Sequence, residues 1–156
     1  MTENRAAKRE IRELQQITGL SYTEITRLKR VFGEVLDREP NLNLNGFGLS
    51  WFGTQTLAER REEARAWRDE LRRSAADVIE VCQWLRQNIR PIKTPQQGSY
   101  GLKHLVEQNI GKYVSNGELI AAALMAGYPM GPIDGPNTVF GMSQRDVNRL
   151  RAGARG

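Results

Sequence analysis

Apolar residues recur at helical spacing along most of this chain. Ile11, Leu14 and Ile17 fall on one stripe, and Ile25, Leu28, Phe32 and Val35 on a second. Thr18-Gly19 interrupts them, with the glycine suited to the left-handed position just past a helix end. Ser21-Tyr22-Thr23-Glu24 is a capping box, in which serine and glutamate satisfy each other's free backbone donors. Residues 1–40 are therefore expected to form a helical hairpin ended by Pro40.

The pattern changes in residues 41–54, NLNLNGFGLSWFGT. Alternation at Leu42 and Leu44, then Leu49 and Trp51, predicts short extended pieces around Gly46. The segment is read as a packed irregular connection or as an exposed aromatic loop presenting Phe47, Trp51 and Phe52 to a protein partner. A helical pattern resumes at the Thr56-Leu57-Ala58-Glu59 capping site and holds through Ala64, Trp67, Leu71, Val78, Cys82, Leu85 and Ile89. One helix over 57–89 would be roughly 50 Å long, so its first half is expected to project. That half alternates Arg60, Arg61, Arg65, Arg68, Arg72 and Arg73 with Glu59, Glu62, Glu63, Asp69 and Glu70. Three readings stay open: a solvated face of ion pairs, an arginine stripe facing phosphates, or a coiled-coil seam that would make a homodimer through the long helix.

Residues 90–98, RPIKTPQQG, read as a linker into the C-terminal region, 91–156. There Leu102, Leu105, Val106 and Ile110 make a stripe, Gly111 ends it, and Ser115-Asn116-Gly117-Glu118 caps a further helix stopped by Gly127. A turn at Asp134-Gly135 allows a small β-hairpin, and Ser143 opens a last helix. Helix, short turn, helix and hairpin is the order of a winged helix-turn-helix. A recognition helix, however, must present residues that bond base edges. Leu119-Ile120-Ala121-Ala122-Ala123-Leu124-Met125-Ala126 is apolar all round, which predicts a buried core helix.

Composition refines this all-α expectation. With 156 residues, 39% apolar and 26% charged, the chain is an ordinary globular one. No run of 18 apolar residues predicts a membrane span, and the charged N-terminus lacks the apolar segment of a secretory signal. The single cysteine, Cys82, fits a reducing cytoplasm and reads as a buried structural thiol. The net charge of +5 is concentrated in residues 91–156, which hold seven basic and four acidic side chains. This is a mild bias toward polyanions.

Candidate chemistry is sparse. The single histidine, His104, has no second histidine or cysteine with which to build a zinc site. It reads as a partly buried structural residue, or as an acid–base group paired with Glu107 or Glu118. No Walker loop, nucleophile elbow or dinucleotide fingerprint occurs. The expectation is a non-catalytic protein without cofactor or metal. For DNA the candidate contacts are Lys103, Lys112, Asn116, Arg145, Arg149 and Arg151, mostly to phosphate.

The segment Ser99-Tyr100-Gly101-Leu102-Lys103-His104, with Tyr113-Val114-Ser115-Asn116-Gly117-Glu118, Ile120-Ala121-Ala122-Ala123, Ala126-Gly127-Tyr128 and Pro136-Asn137 before Phe140, resembles short uncharacterised proteins of bacterial plasmids, phages and integrated elements. Leu14-Gln15 with Thr18-Gly19-Leu20-Ser21-Tyr22 is similar to N-terminal hairpins of other mobile-element proteins. The first resemblance covers about a quarter of the chain and brings no functional residues. It implies regulation, replication accessory work or interference with host defence. The expected functions are thus a nucleic-acid-binding accessory protein or a protein-binding module such as an inhibitor of a host defence complex.

Overall fold

A computed structural model describes residues 2–50 and 53–155. Helices α1 (Thr2–Thr18) and α2 (Tyr22–Arg38) form the expected hairpin. Gly19 takes φ 73° after α1. At the start of α2, Ser21 Oγ accepts the Glu24 N–H at 3.1 Å, and the Glu24 carboxylate accepts the Ser21 N–H at 3.1 Å. Both donors would otherwise be orphaned in the first turn.

Strands β1 (Leu42–Asn43) and β2 (Gly46–Phe47) pair antiparallel, with Leu42 opposite Phe47. The Phe47 N–H donates to the Pro136 carbonyl at 3.0 Å, and its ring is only 6% exposed. Phe47 is therefore a core residue, which corrects its assignment to an exposed aromatic loop. Trp51 and Phe52 lie outside the described residues.

The expected single helix over 57–89 is two helices, α3 (Leu57–Arg73) and α4 (Ala75–Asn88), divided at Ser74. The Leu71 carbonyl accepts both the Ser74 N–H (3.0 Å) and the Ser74 hydroxyl (2.7 Å). Ser74 sits at φ −96°, ψ 25°, and its own carbonyl receives the Val78 N–H that begins the next helix. Serine competes for local backbone groups in this way wherever tertiary packing favours a bend. Nor does the first half simply project. The Trp67 carbonyl accepts the Leu44 N–H (3.2 Å), and Arg68 reaches the carbonyls of Leu36 (2.7 Å), Leu42 (2.8 Å) and Glu39 (3.0 Å).

Residues 90–98 do more than link. Strand β3 (Gln97–Gly98) leads into α5 (Ser99–Ile110), and after α6 (Asn116–Ala126) the chain returns as strand β4 (Val139–Phe140) to pair antiparallel with β3. Pro91 bridges Met142, and the Ile92 N–H donates to the Gly141 carbonyl at 2.9 Å. The turn at Asp134-Gly135 forms, with Asp134 bridged to Asn137 and Met130 to Phe140. Helix α7 (Gln144–Arg155) closes the fold, packed on α5.

Helix α6 occupies the centre, touching α2, α4, α5 and β2. Leu119 through Ala123 are fully buried, as its all-apolar composition requires. Alanine lets neighbouring helices approach closely, and Gly117 lets β1 do the same. A Cβ on Gly117 would meet the Asn43 carbonyl oxygen at 1.9 Å. The Tyr128 hydroxyl lies 2.8 Å from the Leu85 carbonyl and 2.5 Å from that of Ile89, covering the open end of α4. Side chains from residues 1–40, 41–90 and 91–156 share one core. Among the described residues, no helix is long and apolar enough to cross a membrane.

Candidate nucleic-acid interface

The six polar residues expected to meet DNA divide into two groups. Lys103, Asn116 and Lys112 serve the fold. Lys103 is 7% exposed, and it donates to Glu107 Oε1 (2.9 Å) and to the Val114 carbonyl (3.1 Å). Burial pushes the Glu107 carboxyl up. Hydrogen bonds from Lys103 and the Val114 N–H, with the Lys103 and His104 charges, more than offset that and hold it below its usual range.

Asn116 is also 7% exposed. Its amide nitrogen lies 3.1 Å from the Asn45 carbonyl, 3.2 Å from that of Pro136 and 3.0 Å from Asn137 Oδ1. It ties the β1–β2 turn and the C-terminal loop to the start of α6. Lys112 donates to Asp77 at 2.8 Å and meets Glu80. Burial pulls its ammonium down, but these two carboxylates raise it overall. Phosphate contacts by Lys103 and Asn116 are thus corrected: both side chains are buried, and partners within the fold occupy their donor nitrogens. Lys112 is half-exposed but already neutralised.

The remaining three residues share α7. Its buried side carries Val147 and Asp146, with Leu150 partly covered, while Arg145, Arg149 and Arg151 are exposed together with Gln144 and Asn148. Positions 144, 145, 148, 149 and 151 span one helical face. The only acid of this helix, Asp146, points the other way. Its carboxylate accepts the Arg90 N–H (2.9 Å), Arg90 Nε (3.3 Å) and Arg149 Nη1 (3.0 Å). Those bonds, the Arg90 backbone one first, lower its pKa to about 2. No carboxylate of α7 therefore faces solvent beside the arginines. Arg145 and Arg151 make no ion pair or hydrogen bond through their guanidinium groups among the described residues.

Arg90 shares the Asp146 carboxylate with Arg149, and its side chain is 73% exposed. Sequence reading placed it in a linker and missed it. No periodic pattern marks the position, and its partner is 56 residues away.

The other candidates are structural. Ser115 and Glu118 cap α6 reciprocally, at 3.0 Å and 2.9 Å. Burial pushes Glu118 up, and it is not near enough to His104 to share a hydrogen bond. His104 is exposed rather than partly buried, with Nδ1 3.1 Å from Glu107. Cys82 is buried, and burial raises its thiol pKa. Among the described residues, no group of three or more histidine, cysteine or acidic side chains is placed to hold a metal ion. No protein-family model, curated protein or solved structure matches the chain.

Proposed function

We propose that this chain is a small basic nucleic-acid-binding protein, with a non-catalytic accessory or regulatory role in a mobile element, acting in the cytoplasm. One observation carries the reading: the solvent face of α7 presents Arg145 and Arg151, whose guanidinium groups have no partner among the described residues, beside exposed Arg149, which is held by Asp146 (3.0 Å) and the Asn88 carbonyl (3.2 Å), and its only acid is turned inward. Guanidinium groups bind phosphate strongly, while Gln144 is engaged by Gln97 and Asn148 at 2.6 Å and 2.8 Å. Of the six expected contacts, the three on α7 are the ones this reading retains, since Lys103 and Asn116 are buried and Lys112 is paired with acids. The net charge of +5 agrees in sign.

A salt series of gel-shift or filter-binding measurements tests it. Affinity falls steeply with salt, and replacing Arg145, Arg149 and Arg151 together with alanine lowers the log–log slope by up to about three. Absence of any shift at low salt would sink the proposal.

A protein-binding module, such as an inhibitor of a host defence complex, is the second reading. Phe47 no longer supports it. What favours it is a pocket where exposed Ile17 lies with Trp84, Ile110 and Glu80. Capture of a host protein by the wild type but not by Ile17→Asp would favour this reading.

A further inference from the structure

An aromatic surface lies beside the arginine helix. Tyr100, at the start of α5, is 57% exposed, and Tyr113, in the turn before α6, is 73% exposed. Both rings sit near one ammonium group. Lys103 Nζ is 5.8 Å from the Tyr100 centroid and 4.9 Å from that of Tyr113. The ammonium is itself held by Glu107 and the Val114 carbonyl. His104 stands edge-on to Tyr100, with ring centroids 4.6 Å apart and planes at 84°. Two open phenol rings thereby flank one buried cation.

Neighbouring charge favours a polyanion. Arg151 crosses from α7 to Gly101, where a Cβ would lie 3.6 Å from its guanidinium nitrogen. Gly101 adjoins Tyr100, so the shelf borders the arginine face. The one acid within the cluster, Glu107, is largely covered and engaged by Lys103, His104 and the Val114 N–H. Exposed rings with the Arg151 guanidinium beside them match an unpaired strand, which offers both base faces and phosphates. A duplex keeps its base faces stacked internally and offers only the phosphates to such a surface.

We propose that Tyr100 and Tyr113 form a stacking shelf for unpaired bases of a single-stranded nucleic acid whose phosphates follow the arginines of α7. The inference rests on the nucleic-acid reading above and adds the strandedness of the ligand. Lys103, Glu107 and His104 are positioning residues that hold the rings.

Fluorescence anisotropy tests it, with labelled oligodeoxythymidine of about 20 nucleotides and a duplex of about 20 base pairs as probes. The wild type binds the single strand more tightly. Replacing Tyr100 and Tyr113 together with alanine weakens single-strand binding by about tenfold or more and leaves duplex binding unchanged. Replacing both with phenylalanine keeps single-strand affinity, because the ring rather than the hydroxyl stacks. A thermal melt like that of the wild type verifies that each variant is folded, both tyrosines being exposed. Equal single-strand affinity in wild type and the alanine variant, or equal losses on both probes, overturns the shelf. If the duplex still binds through the arginines, that result leaves the function reading standing. Binding to neither probe at low salt overturns both.

Discussion

The carboxylate of Asp146 accepts both the backbone N–H and the guanidinium Nε of Arg90, at 2.9 Å and 3.3 Å, and so fastens α7 to the end of α4. Its pKa falls from 3.8 to about 2. Between those values the unfolded chain binds a proton that the folded chain refuses. The stabilisation is complete above the upper value and is lost as pH falls through the lower. Asp146→Asn should therefore lower the melting temperature by roughly several degrees at neutral pH. It should also flatten the acid dependence between about pH 4 and pH 2. Thermal melts across that range check both, and an unchanged acid limb would refute the role assigned to Asp146.

Lys103 and Arg145 look equivalent in a charge count, but the fold separates them. Lys103→Ala leaves Glu107 and the Val114 carbonyl short of a donor, and should cost about 1–3 kcal/mol of stability. Its effect on the salt slope of duplex binding should be negligible. Arg145→Ala should change stability by less than about 0.5 kcal/mol and reduce that slope by about one. Urea unfolding and salt-titrated binding of both variants make the comparison.

Asn116 and Gly117 secure the start of α6 by opposite means, one by reaching and the other by leaving room. Asn116→Ala removes the amide shared among Asn45, Pro136 and Asn137, an expected loss of about 1–3 kcal/mol. Gly117→Ala forces a methyl group onto the Asn43 carbonyl, and overpacking of this kind costs about 1–3 kcal/mol or more. The double variant should lose less than the sum, since both act on the same contact between β1 and α6. Denaturant midpoints of the three variants test this.

Arg68 gathers the carbonyls of Leu36, Glu39 and Leu42, where α2 ends and β1 begins. Burial lowers its pKa from the usual guanidinium value, with Arg72 adding to the effect. Lysine carries the charge but lacks the planar fork. Arg68→Lys should thus be destabilising by about 1–3 kcal/mol, and hydrogen exchange should rise first at the β1–β2 turn. Uniform exchange throughout the chain would argue against a local role.

Features encoded within a few residues were legible in the sequence. The boxes at Ser21 and Ser115, the helix ends at Gly19, Gly111 and Gly127, and the burial of α6 follow from spacing and composition alone. The break at Ser74 was not legible, because the apolar stripe runs through it unchanged. Long-range partners were equally hidden. Asn116 finds Asn45 across 71 positions, and Arg90 finds Asp146 across 56. Arginines on α7 could be read as exposed because Val147 and Leu150 mark the opposite side. Lys103 could not be read as buried, because Tyr100, Glu107 and Val114 close over it only once the turn after α5 is formed.

Position in the chain gives the central helix one more consequence. Ribosomes deliver α1 through α5 before α6, which α2, α4 and α5 enclose. Until residues 116–126 emerge, the parts of α2 and α4 that face α6 lack their native cover, though both helices also pack on α1. The native interior therefore closes only once residues 116–126 are in place, whatever the helices before them have already formed.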